Sequence, residues 1–304
     1  MPAQPPPPSE VYTTLGAPTP TSRPRVLVHA LTGFLDAGLA PSIAVDHLLD
    51  ALPHREVATF DSDAFVDYRA RRPLMTYVRD HFESIVMPQI VVHEITDEAG
   101  EPFLLLTGPE PDFAWNRFTA GVLDLVSRFE VSAVTGVGAI PWPSPHTRPL
   151  DVSAHATDPS LVAGYRSWVD ALQIPGHLPG VLELRLGEAG VPAFGYAVHV
   201  PQYLAQYRYP QAAIRLLRAV AQGTGLQLPT AALEAQAVDV EGEIAEYLSG
   251  SAELQELVAA LEARFDAVHV AEAGWDNEDL PSGDEIAAAL QAFLADQPRP
   301  DDPR

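Results

Sequence analysis

Between Arg25 and Leu228 the chain alternates short, uninterrupted apolar runs with segments whose apolar residues recur at helical spacing. This alternation limits the fold more than any single motif does. "VLVHA" (26–30), "VATF" (57–60), "VSAVTGVGAI" (131–140) and "VPAFGYAVHV" (191–200) read as strands, and the last two are apolar enough for burial on both faces. "LAPSIAVDHLLDAL" (39–52), "PDFAWNRFTAGVLDLVSRF" (111–129), "LPGVLELRLGEAG" (178–190) and "YPQAAIRLLRAVAQGTG" (209–225) read as helices, several with proline near the start and glycine at the end. "QIVVHEIT" (89–96) and "PFLLLTG" (102–108) form a strand pair through the turn-prone "DEAGE", and "LDVSAHAT" (150–157) also alternates. Strands interleaved with amphipathic helices imply an α/β sandwich around a mostly parallel sheet, made mixed by the hairpin.

Outside this span the pattern changes. Residues 1–22 are rich in Pro, Ser and Thr and are expected to be a disordered tail, with the α/β domain at 23–228. Residues 229–297 lack a strand pattern and read as an acidic helical extension, followed by a second disordered tail at 298–304. Beyond Pro229 lie 18 acidic residues against three arginines. A solvated helical face accounts for that excess more simply than a docking site for a basic partner. Ser282 and Glu285 make a capping box at the start of a third helix in the extension.

The chain has no cysteine, which excludes disulfides, thiolate catalysis and cysteine-bound zinc. It also has no lysine, so Schiff-base, phosphate-loop and lysine-base chemistry are excluded. A net charge of −23 argues against nucleic acid and anionic membranes as partners. No apolar run reaches membrane-span length and no signal-peptide pattern is present, so a cytoplasmic location is expected.

Single motifs carry little specificity. Gly136 and Gly138 follow a strand, but the third glycine of a dinucleotide fingerprint is missing and "PSPHTRP" (143–149) stands where a helix should begin. The glycines are expected to permit close packing. His146 could carry a proton and Arg148 could clamp an anion, or a proline-fixed loop could simply bond its neighbours. Asp36, in the turn "TGFLDAG", could share that rim, although an acidic residue before a helix is more often a cap. Arg69, Arg71 and Arg72 could bind an anion, bridge subunits or pair with local acids. Trp115 and Phe118 fit core or interface packing. Tyr203, Tyr207 and Tyr209 form an aromatic loop suited to a partner or a flap. No metal-binding spacing links the ten histidines, and no nucleophile elbow is present.

The chain resembles the PAC2 family, named for proteasome assembly chaperone 2, in its longer bacterial form. The resemblance rests on "GFLDAG" (33–38), "DYRARRP" (67–73), "GPEPDFAWNRF" (108–118), "GVGAIPWPSPHTRP" (136–149), "HATDP" (155–159) and "YAVHVPQYLAQYRYPQAA" (196–213), in order across 25–228. "LPSGDEIAAALQAFL" (280–294) fits the C-terminal extension. It implies a three-layer α/β/α fold similar to nucleoside phosphorylases and a non-enzymatic assembly or interaction role as a homo-oligomer, without cofactor or metal. Gly33, Asp36, Arg69, Arg72, His146, Arg148 and Tyr203 would form a ligand or interface rim. The alternative is a phosphorylase-like or hydrolase-like enzyme, or a binder of a small molecule, using Asp36, His146 and Arg148. Some family names suggest ATP-dependent ligases, which resemble one another in using lysines on ATP, and this chain has none. Some proteasome-docking relatives end in a hydrophobic–Tyr–any tail. Here the sequence reads Asp301, Asp302, Pro303, Arg304, so docking by that route is not expected.

Overall fold

The computed structural model describes residues 11–168 and 171–272. The runs read as strands become β2 (Arg25–Thr32), β3 (His54–Phe60), β6 (Ile90–Thr96), β7 (Pro102–Pro109), β8 (Val131–Trp142), β9 (Val152–Ala156) and β10 (Ala193–Pro201). Together with β1 (Tyr12–Thr14) they form one sheet in the order β1-β3-β6-β7-β2-β8-β10-β9. The block β7-β2-β8-β10 is parallel, and β6, β3, β1 and β9 are each antiparallel to a neighbour. Five of the eight strands therefore point the same way. The helices are α1 (Ala40–Ala51), the short α2 (Ser62–Phe65), α3 (Trp115–Arg128), α4 (Leu178–Glu188), α5 (Pro210–Thr224), α6 (Ala231–Ser249) and α7 (Ala252–Glu272).

Strand alternation sorts the core into two layers. On one face, Val26, Val28, Phe103, Leu105, Tyr196 and Val198 pack against α1 and α5, and α6 and α7 extend that layer through Leu233, Ile244 and Val258. On the other face, Leu27, Leu104, Leu106 and Val134 pack against α3 and α4. Phe60, Phe65 and Phe118 meet there, with Phe60 and Phe118 centroids 4.6 Å apart. Burying each such ring stabilises the fold by about 1.5–3 kcal/mol. Helices on both faces of a mixed sheet make the expected three-layer sandwich.

Two departures from the sequence reading stand out. Order is established at Val11, within the stretch read as a disordered tail. Val11 and Tyr12 are buried, Tyr12 pairs with Phe60 across β1 and β3, and its hydroxyl donates to Asp124 at 2.7 Å. Further along, the Thr19 hydroxyl donates to buried Glu94 at 2.7 Å, and Arg25 donates to the Thr19 carbonyl at 2.7 Å. Specific polar ties hold this proline-rich stretch, so its low hydrophobicity gave no sign of them. The second departure is a separate hairpin of β4 (Leu74–Val78) and β5 (His81–Val86), which the sequence pattern did not mark. The third helix expected in the extension, the 298–304 tail and residues 1–10 lie outside the described residues.

Candidate functional site

Strands β2, β7, β8 and β10 end at the same edge of the sheet, where open α/β sheets bind ligands. The PSPHTRP loop leaves β8 at this edge. There it makes an internal clasp. The His146 backbone N–H donates to Tyr203 Oη at 2.8 Å, and the same oxygen lies 2.7 Å from His146 Nδ1. The Oη–Nδ1 contact runs from Oη–H to Nδ1 in the Nε2–H tautomer and from Nδ1–H to Oη in the other. Burial lowers the His146 pKa and pushes Tyr203 up to about 12, so both stay neutral.

Arg148 turns toward the extension. Its Nε and Nη2 donate to the two carboxylate oxygens of Asp266, each at 2.7 Å, and Nη1 reaches Glu262 at 3.3 Å. The Thr147 hydroxyl also donates to Glu262. Hydrogen bonding to Asp266 raises the Arg148 pKa further. Glu262 and Asp266 are four apart on α7 and so share one helix face. These two members of the acidic run hold the loop while remaining partly exposed to solvent.

Asp36 goes elsewhere. It accepts from Ser42 Oγ at 2.7 Å and lies 3.5 Å from the Ser42 backbone N–H, so it ties its turn to the first turn of α1, whose N-cap position is held by Leu39. Burial pushes its pKa up to about 6. Gly33 lies beside Glu110. A Cβ there would come within 2.8 Å of the Glu110 carboxylate, which accepts the Leu178 N–H at 2.6 Å where α4 begins. Arg71 pairs with Asp112 at 3.0 Å, while Arg69 and Arg72 are exposed and have no ion-pair partner among the described residues. Of the seven rim candidates, the structure brings together His146 and Tyr203, with Arg148 two residues along the loop. Asp36, Gly33 and the two arginines each sit in a different environment.

Sequence reasoning missed the cavity on the opposite face of the same edge. It has a volume of about 460 Å³, and its lining includes Phe34, Leu35, Ser153, His155, Trp168 and His177. His155 donates through Nδ1 to Glu183 at 2.7 Å. His177 caps α4 by accepting the Gly180 N–H at 3.2 Å, and its ring stacks on Phe34 with centroids 5.4 Å apart. In the adjoining core lie two more histidines. His29 fits under Gly136, where a Cβ would come within 2.6 Å of the ring, and burial lowers its pKa to about 4. His199 stacks on Trp142 at 3.8 Å, its Nε2 lies 2.7 Å from Ser153 Oγ, and burial lowers its pKa to about 3. Gly136 thus makes room for the His29 ring, while Gly138 admits Leu35, whose backbone carbonyl accepts the Ala139 N–H at 3.0 Å.

A Ser–His contact suggests nucleophilic catalysis, but the physics here disfavours it. A general base works best with a pKa near the operating pH, and His199 lies far below that. Its Nδ1 also has no hydrogen-bond partner among the described residues, so no carboxylate orients the ring. Among those residues, no group of three histidines and carboxylates could hold a metal ion.

Comparison with known proteins agrees with this architecture. A Mycobacterium tuberculosis protein of unknown function is 40% identical, with 96% of this chain and 98% of that one covered and a TM-score of 0.86. A Corynebacterium glutamicum protein of unknown function is 36% identical over 84% and 97% of the two chains, with a TM-score of 0.80. A proteasome-assembly chaperone homologue from M. tuberculosis is 30% identical over 77% and 99%, with a TM-score of 0.70. No curated protein matches the chain significantly. The PAC2 family profile matches residues 30–248, from the end of β2 through β10 and the clasp into α6, and with relatives of this identity on the same fold the chain belongs to the PAC2 family.

Proposed function

We propose that the chain is a non-enzymatic, self-associating assembly factor that binds other proteins, as a proteasome-assembly chaperone does. The observation that carries this reading is the fate of the three catalytic candidates. Asp36 is committed to Ser42, His146 to Tyr203 and Arg148 to Asp266, and none of them lines the cavity at the sheet edge. The 30%-identical chaperone homologue supports the same direction. The reading includes a cytoplasmic location; no helix among the described residues is long and apolar enough to cross a membrane. The test is to add the purified chain to separately purified proteasome α and β subunits and follow core-particle formation on native gels. Faster assembly, or a complex with α-subunit intermediates, is expected. Unchanged assembly kinetics with no complex would overturn the chaperone role.

A second reading is favoured by the cavity: binding of a small molecule, on the His155 and His177 side of the edge rather than at His146 and Arg148. A metabolite panel that shifts the melting temperature of the native chain, but not of an Ala197→Phe variant that fills the cavity, would support it.

A further inference from the structure

The cavity at the carboxyl edge on the α3/α4 face differs from the rest of the surface in both shape and charge. Its volume of about 460 Å³ suits a small organic molecule. Much of the lining is apolar, with Leu35, Ile140 and Leu172, and three flat rings stand in it. Phe34 stacks on His177 with their planes 15° apart, and Trp168 forms a further wall. Trp168 is buried and braced by Trp142 and His199, with ring centroids 5.6 and 5.0 Å away, so it is held in place before any ligand arrives. A planar group that packs on rings fixed in this way costs little further ordering of the protein.

Charge sets the other half of the ligand. The chain has 41 Asp and Glu residues, yet no carboxylate stands among the described lining residues. Arg166 does, with its guanidinium 4.6 Å from the Trp168 ring centroid. Burial lowers its pKa against the opposing pull of Asp151, so the guanidinium has lost part of its water and gains from an anion. His155 and His177 add to the donors. The Gly180 N–H donates to His177 Nδ1, which leaves the ring hydrogen on Nε2. His155 lies 2.7 Å from Glu183 and takes up that carboxylate. The cavity is thus apolar, ring-walled and richer in donors than in acceptors.

We infer that this cavity takes a small aromatic anion, its ring packed on the Trp168 wall and its carboxylate or phosphate at the Arg166 guanidinium. The inference rests on the small-molecule reading above and names the ligand class for that site. A guanidinium fork fits either head, so the ring and the single negative group define the class.

The test is calorimetric titration of the full chain at pH 7.5 with 2-naphthoate, 2-naphthyl phosphate, uncharged 2-naphthamide and cationic 2-naphthylmethylamine. The better of the two anions should bind about tenfold or more tightly than the amide, and the amine should bind weakest. Which anion leads identifies the head. Arg166→Gln should remove most of the anion's lead and leave amide binding as it was. Ile174 lines the same cavity and is 45% exposed, so Ile174→Glu and Ile174→Lys should both fold and test charge without touching Arg166. The Glu variant should weaken the anion several-fold and the Lys variant should strengthen it. Should Arg166→Gln fail to fold, the pair at 174 decides. Amide or amine binding as tight as that of the anions would overturn the anionic class and leave the small-molecule reading intact. An anion lead that survives Arg166→Gln, or ignores the charge at 174, would overturn the inference in the same way. No binding of any of the four probes would also overturn it, and the small-molecule reading would fall with it only if the metabolite panel left the melting temperature unmoved.

Discussion

The two faces of the sheet reach its carboxyl edge in opposite states. On the α1/α5 face, α7 supplies Glu262 and Asp266 and the 201–210 segment supplies Tyr203, so His146, Thr147 and Arg148 of the PSPHTRP loop are bonded internally. On the α3/α4 face, the edge stays open as a cavity, and the histidines in the core beside it are held neutral by burial. The same topology thus yields a sealed clasp on one side and a hollow on the other. The difference lies in side-chain size and in the extension. Ala197 lines the open side, where Gly136, Gly138 and Gly195 give room to His29, Leu35 and His155, and the clasped side has Val198 and Val200 under Leu204.

The largest expected effect comes from filling that space at its base. Gly136→Ala places a Cβ against the buried His29 ring, which has nowhere to move, and should cost about 2–3 kcal/mol in chemical denaturation. Gly195→Ala meets the His155 ring even more closely, at 2.3 Å to Cε1, but His155 is half-exposed and can swing outward. It should cost less than about 1 kcal/mol. Equal costs would mean that the two histidines are equally confined and that the open face is not open.

Much of this architecture was legible in the sequence, and the exceptions have physical causes. Runs such as 131–140 and 191–200 announce buried strands because both of their faces must be apolar. Asp36 does precede a helix, as read, but it bonds the Ser42 hydroxyl inside the first turn of α1 while Leu39 holds the N-cap position. The histidine group was not legible, since His29, His155, His177 and His199 meet only through crossovers that carry no sequence signal. Arg148 gave its chemistry but not its partners, which lie 114 and 118 residues further on. The β4–β5 hairpin was missed for another reason: periodicity detects one buried face, and Leu74 and Met75 occupy opposite, exposed ones.

Acid is expected to attack the open face next. His29 and His199 are held near pKa 4 and 3, against 6.5 when unfolded. Lowered histidine values mean that the unfolded chain binds more protons, so stability is full above pH 6.5 and falls as pH drops toward 4. Each histidine should cost about 2 kcal/mol at pH 5. Denaturation midpoints at pH 7.5 and 5 give the total loss, and His199→Gln should remove about 2 kcal/mol of it. A flat profile would show that these rings are hydrated.

Asp36 carries the opposite sign and tests the clasped face. Its pKa is raised from 3.8 to about 6, so the folded chain holds the proton more tightly and the carboxylate destabilises the fold above pH 6. Asp36→Asn can still accept from Ser42 and should gain about 1 kcal/mol at pH 7.5. That gain should shrink as pH falls below 6 and vanish only below about pH 3, where the carboxyl is protonated in both states. A gain independent of pH would mean that packing, not charge, sets the effect.

The smallest effect on global stability, and the most local, belongs to Arg148. Its pairs with Asp266 and Glu262 are solvent-exposed, and exposed pairs contribute little to the folding equilibrium. What they fix is where α7 rests, because Val258 is its only fully buried side chain in the main core among the described residues, with Leu254 packed at the margin. Arg148→Ala should therefore leave the denaturation midpoint nearly unchanged while speeding amide exchange across 252–268. Exchange in α5, behind the same face, should stay as it was. Raised salt should reproduce part of the effect in the native chain, since screening acts on exposed charges first. If α7 stays protected in Arg148→Ala, apolar packing alone holds the extension, and the PSPHTRP loop is a passive connector rather than a clasp.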